Sequence, residues 1–157
     1  MAWLEGSTLG HAMRDNGVWI YAIVNLTHIL GVATLFGSIV ILDLRLLGLW
    51  RQVPLGPLSK PTVSLATAGF LVAATSGSGL LATKATEYVG NPFLYIKFPA
   101  IALGLLNVLI LHRSAAWRAR GMRELSPREQ SQLAAMGGTS LVCWLTAIGA
   151  GRMIGYW

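Results

Sequence analysis

Three ionisable side chains stand at positions that a membrane span would bury in lipid: His28, Lys97 and Arg152. A neutral imidazole can ligate heme iron or copper, and a Lys/Arg pair can hold propionates or other anionic groups. Ionisable groups inside lipid are costly, so each is a functional candidate by default. Counted along a helix at about 1.5 Å per residue, His28 falls about 13 Å below one membrane surface and Lys97 about 8 Å below the same one. Arg152 belongs at a similar depth, so the three can converge on one site. In the blander reading His28 hydrogen-bonds a neighbouring helix while Lys97 and Arg152 snorkel outward.

A second group gathers toward the opposite surface: His112, Asp43 and Arg45, with Asn107 about one turn before His112. Asp43 can cap a helix end or pair with Arg45 or His112. Asn107 can orient a ligand or bridge helices. The alternative to a second site is an interfacial charge network that anchors helix ends. His28 and His112 lie about 15 Å apart along the membrane normal, so upright helices do not let both ligate one iron. His11, the third histidine, precedes the first span and reads as a solvated surface group.

The elements that must hold these residues follow from composition. Of 157 residues, 54% are hydrophobic and 11% charged, and mean hydropathy is +0.60. An ordinary soluble domain has about a quarter of its residues charged. The apolar residues come in four runs, at about 19–42, 62–83, 92–112 and 133–156, and a span needs about 20. Helices satisfy their own backbone in lipid. The expected fold is therefore all-α: a four-transmembrane-helix bundle in a single domain over residues 1–157, with a short N-terminal interfacial helix over 3–15. Met1-Ala2-Trp3-Leu4-Glu5 does not read as a secretory signal.

Local signals mark helix ends. Asn91-Pro92 reads as an N-cap followed by Pro at the first helical position, and Ser126-Pro127-Arg128-Glu129 as a capping box. Pro99 is expected to kink the third helix or remove one backbone bond. Small residues suggest packing stripes: Thr27, Gly31, Thr34 and Ser38 on the first helix, Ser64, Ala68, Leu71, Thr75, Ser78 and Ala82 on the second, and Thr139, Cys143, Thr146 and Ala150 on the fourth. Cys143, the one cysteine, reads as a small packing residue.

Twelve Lys+Arg against six Asp+Glu give a net charge of +6, which in a membrane protein orients loops rather than binding nucleic acid. Arg45, Arg51 and Lys60 follow the first span, and Arg113, Arg118, Arg120, Arg123 and Arg128 follow the third. The positive-inside rule puts both basic loops in the cytoplasm and both termini outside. Trp19, Tyr88, Tyr156 and Trp157 then belong to the outer interface, Trp50 and Trp117 to the inner.

The pieces His28-Ile29-Leu30-Gly31, Phe36-Gly37, Asp43-Leu44-Arg45-Leu46-Leu47-Gly48, Asn91-Pro92-Phe93, Lys97 and Gly104-Leu105-Leu106-Asn107, ending at His112, resemble a family of uncharacterised bacterial four-helix membrane proteins. The likeness runs over nearly the whole chain. It implies a multi-pass protein of the bacterial cytoplasmic membrane. More distantly, the chain is similar to CopD-type copper-resistance proteins and HemJ-type protoporphyrinogen oxidases. The HemJ likeness implies a heme- or porphyrin-associated His and Lys, at His28 and Lys97. The Lys97–His112 spacing is longer than in the HemJ pattern, and no Met/His-rich copper loop is present.

The leading expectation is a small membrane protein that binds heme b through His28 and passes electrons to a membrane redox partner. His112 is a second candidate metal ligand. Lys97, Arg152 and Asn107 are expected to assist cofactor binding. One alternative is copper handling, although copper(I) carriers favour Cys and Met. Another is a non-catalytic anchor or assembly subunit in a homo- or hetero-oligomer. Four spans are few for a carrier. No Gly-x-Ser-x-Gly elbow, His-Glu-x-x-His helix or phosphate loop indicates a hydrolase.

Overall fold

The structure, a computed structural model, describes residues 17–83 and 85–157. The interfacial helix expected over 3–15, and His11 within it, lie outside the described residues. The chain forms α1 (Gly17–Leu46), α2 (Leu55–Thr83), α3 (Pro92–Arg113), the short α4 (Ala115–Ala119), α5 (Pro127–Met153) and a closing 3-10 turn, Ile154–Tyr156. No strand occurs among the described residues. Four stretches, Trp19–Leu46, Leu55–Thr83, Pro92–Arg113 and Pro127–Tyr156, are long and apolar enough to cross a membrane. Large apolar side chains point outward along them, Ile23 at 61% exposure and Val142 at 66% among them, as lipid-facing helices require.

α2 begins at Leu55, seven residues before the expected span at 62. The prolines explain the difference. Pro57 lies in the first turn, where backbone N–H groups have no intrahelical partner, so its missing donor removes nothing. Pro61 is carried inside the helix, as Pro99 is inside α3.

Two compact units divide the chain. The first contains the part of α1 up to Phe36 and the residues Leu65–Asn91. Its helices meet backbone to backbone. A Cβ on Gly31 would lie 2.8 Å from the Ala73 nitrogen, and one on Gly69 would lie 2.5 Å from the Leu35 nitrogen. Glycine at both positions lets the main chains touch. Gly31, Leu35, Ala73 and Ser76 are buried there. Of the expected stripes Gly31 lies on this face, while Thr27, Thr34, Thr75 and Ser78 are exposed. Each hydroxyl donates to a carbonyl four residues back in its own helix, at 2.8 Å. A hydroxyl satisfied within its own helix needs no partner across a helix interface.

The second unit contains Gly37–Ser64 and Pro92–Trp157. α3 and α5 pack along one another within it. Leu42, Leu46, Leu55, Leu111, Ala116, Trp117 and Leu133 form its apolar core. Trp117, expected at the membrane interface, is instead only 3% exposed. α4 turns it inward, capped where the Trp117 N–H donates to Ser114 Oγ at 3.1 Å. Gly137 on α5 admits α1: a Cβ there would meet the Asp43 carbonyl oxygen at 3.1 Å and Leu46 Cβ at 3.0 Å. Cys143 is buried with a free thiol. Both halves of the Ser126/Glu129 capping box are present at the start of α5. Arg123 adds a two-pronged bond to Glu129, at 2.9 and 2.7 Å.

Candidate functional site

His28 sits in a notch between α1 and α2 of the first unit. Its Nδ1 lies 2.9 Å from the Ala73 carbonyl oxygen and 3.2 Å from Ser76 Oγ. The Ser76 hydroxyl donates to the Val72 carbonyl at 2.5 Å, so its oxygen faces the ring as an acceptor. Two acceptors at Nδ1 require the proton there, and a neutral ring then carries its lone pair on Nε2. The ring lies over Gly77, where a Cβ would come within 2.9 Å of Cε1 and 3.2 Å of Nδ1. Only glycine leaves this space. Metal-ligating histidines are oriented in just this manner, with the second nitrogen donating to a carbonyl.

The other expected site residues belong to the second unit. Lys97 on α3 is half-buried and lays its side chain on α5 at Gly151, where a Cβ would be 3.4 Å from Nζ. Arg152 is the next residue along α5, but it turns outward. Its guanidinium donates to the Tyr156 hydroxyl and lies 4.8 Å from that ring's centroid. Lys97 and Arg152 thus share one end of the α3–α5 pair without sharing a partner.

Asn107 is buried, and its Nδ2 donates to the Met136 carbonyl at 3.0 Å. Of its two expected roles, this contact is the helix bridge. His112 is exposed. Its Nδ1 lies 2.8 Å from the Val108 carbonyl of its own helix, and its ring packs 5.2 Å from that of Trp117.

Asp43, Arg45 and His112 do not pair with one another. Arg45 donates through Nε to the Val53 carbonyl at 2.8 Å and through Nη2 to the Arg51 carbonyl at 3.2 Å. It pegs the turn after α1, where Gly48 and Trp50 take φ of 103° and 49°. Asp43 is 3% exposed and its Oδ2 has no hydrogen-bond partner, with the Ser140 hydroxyl facing the carboxyl. No group of three or more His, Cys, Asp or Glu that could hold a metal ion occurs among the described residues. His28 thus offers one imidazole nitrogen among the described residues, the number that an iron already held by a macrocycle needs from the protein.

Sequence reasoning missed the residues that hold His28. Gly77, Ala73 and Ser76 lie more than 40 residues away along the chain. The available signal was the cluster of small residues over 73–79, which marks a helix face able to accept a ring.

Four long apolar helices and no strand among the described residues define an all-α, multi-pass membrane protein. The chain belongs to the family described as "Family of unknown function (DUF6644)", whose model matches residues 1–157. No curated protein and no solved structure matches it.

Proposed function

We propose that the protein binds a b-type heme or related porphyrin in the membrane, with His28 as axial ligand, and takes part in electron transfer. The observation that carries this reading is the orientation of His28: Nδ1 faces the Ala73 carbonyl at 2.9 Å, so a neutral ring has its proton there and its lone pair on Nε2. A bound heme supplies one-electron redox chemistry. The chain's part is to orient the ring, to keep Nδ1 protonated and to raise the basicity of Nε2 through the carbonyl. Gly77 sets how far the ring sinks toward α2.

The test is an oxidised and a reduced absorption spectrum of the detergent-purified full chain, produced with heme supplied. The expected result is a Soret band with sharp reduced α and β bands, lost in His28→Ala. A featureless spectrum, or a His28→Ala variant with its full complement of heme, overturns the reading. A featureless spectrum together with a stable co-purifying protein points to an anchor or assembly subunit. Stoichiometric copper in the purified protein points to copper handling.

The same reading places the protein in the bacterial cytoplasmic membrane with both termini outside. It rests on the arginines after α1 and after α3 and on the positive-inside rule. An alkaline phosphatase fused after Trp157 is expected to be active, and an inactive fusion overturns this orientation.

A further inference from the structure

The second unit carries a cleft of about 640 Å³ lined by four arginines, Arg45, Arg51, Arg120 and Arg123, with Glu124 as its acidic residue. Gln130 and Ser131, at the start of α5, add neutral polar groups to the wall. The start of α2 and the turn after α4, which frame it, are fastened together. A Cβ on Gly56 would lie 3.1 Å from the Gly121 Cα. Arg120 Nε donates to Ser59 Oγ at 2.8 Å and its Nη1 to the Trp117 carbonyl at 2.6 Å. The Arg120 guanidinium also lies 3.8 Å from the centroid of the buried Trp117 ring. This is a built concave surface with a fixed arginine in it, beyond what loop charge alone requires for orientation.

The charge in the cleft is not balanced by the chain. Arg123 is neutralised by Glu129, in a salt bridge of 2.7 Å. Arg45 and Arg120 donate to carbonyl and hydroxyl oxygens, which carry no full charge. Arg45 also bonds the backbone of Arg51, which brings two like charges near each other. No salt bridge engages Arg45, Arg51 or Arg120 among the described residues. Burial holds the Arg120 guanidinium below its ordinary pKa, so an anion would relieve a cost already present. Guanidinium forks match the oxygens of a phosphate, and basic pockets at the membrane surface take anionic head groups.

We infer that this cleft is a binding site for a phosphate ester, held by Arg51 and Arg120, with the head group of an anionic phospholipid as its source. Arg45 sets the turn that presents Arg51, and Trp117 sets the plane of Arg120.

The full chain, placed in nanodiscs of phosphatidylcholine with a minor fraction of phosphatidylglycerol, is examined by native mass spectrometry for lipid retained on the protein. Phosphatidylglycerol is expected to be retained selectively. Arg51→Gln is expected to weaken retention about tenfold, the loss of one charge-assisted contact. Among the described residues Arg51 makes no side-chain hydrogen bond, so this variant is expected to fold, and Arg120→Gln is the companion. Arg113→Gln removes an equal charge outside the cleft and is expected to retain the lipid. In a parallel arm glycerol 1-phosphate is titrated into the detergent-solubilised protein. Binding there with the same Arg51 dependence, and without lipid retention, keeps the phosphate site and makes its source soluble. Equal loss in Arg113→Gln and Arg51→Gln, or no binding in either arm, overturns the inference.

Discussion

The Nδ1 of His28 lies 2.9 Å from the carbonyl oxygen of Ala73 across the α1–α2 contact. Carbonyl oxygens only accept, so this contact assigns the ring proton. In ¹⁵N NMR of the histidine-labelled protein the neutral Nδ1–H tautomer is therefore expected, with or without heme. Gly77→Ala puts a methyl within 2.9 Å of Cε1. The ring must move and lose the Ala73 bond, so the tautomer signal is expected to become mixed and heme occupancy to fall. An unchanged tautomer in Gly77→Ala would show that the notch does not hold the ring.

The same helix pair predicts a contrast between glycines. A Cβ on Gly69 would lie 2.5 Å from the Leu35 nitrogen and 2.8 Å from the Gly31 carbonyl. Both are backbone atoms and cannot rotate away. Gly69→Ala is expected to cost about 1–3 kcal/mol, in the range of overpacked cores. Gly149 on α5 has nothing within 4 Å, so Gly149→Ala is expected to be neutral or slightly stabilising. Thermal unfolding in one detergent compares the two, and equal midpoints would contradict the backbone contact.

The capping box at Ser126 makes a third prediction. Ser126 Oγ accepts from the Glu129 N–H at 3.3 Å, and Glu129 Oε2 accepts from the Ser126 N–H at 2.8 Å. Ser126→Ala is expected to cost about 1 kcal/mol. The Arg123–Glu129 pair is exposed on its arginine side, at 56%, so its contribution is expected to fade in high salt while the cap's persists. Midpoints of wild type, Ser126→Ala and Arg123→Gln at low and high salt separate the two. A Ser126→Ala defect that vanishes in salt would assign the effect to charge.

Much of the fold was legible in the residues because lipid leaves few options. Apolar runs of span length must be helices, and all four are. Ser126-Pro127-Arg128-Glu129 announced a helix start through purely local bonds. The start of α2 was less legible, since the apolar run begins at 62 while the helix begins at Leu55, ahead of it. The packing stripes were legible in part: Gly31, Ser38, Cys143 and Ala150 are buried, whereas Thr27, Thr34 and Thr75 bond their own helices. Residue type alone does not say whether a hydroxyl faces lipid or a neighbour. At the candidate site His28 was legible by its chemistry. Gly77 and Ala73 were not, because the notch exists only once two helices meet. Arg120 looked like one more loop charge, and its tie to Ser59 spans 61 residues.

Asp43 supports the last prediction. It is 3% exposed, and its Oδ2 has no partner. α1 approaches α5 closely here, the Asp43 carbonyl and Leu46 Cβ crowding Gly137. Arg45 and His112, the neighbours that suggested an ion pair, are bonded elsewhere. A carboxyl buried without its full set of partners destabilises a fold, and a buried charge does so more than a neutral polar group. Asp43→Asn keeps the shape and replaces the acid with a neutral amide, so it is expected to raise stability by about 1 kcal/mol. Ser140→Ala is expected to act oppositely, because it removes the hydroxyl that faces the carboxyl. Thermal midpoints of the two single variants and the double variant measure the coupling. If Asp43→Asn destabilises, the carboxylate has a binding partner that the fold alone does not supply, and Asp43 becomes a second site. If it stabilises, the carboxyl is a net cost to the fold, as a buried group without its full set of partners should be.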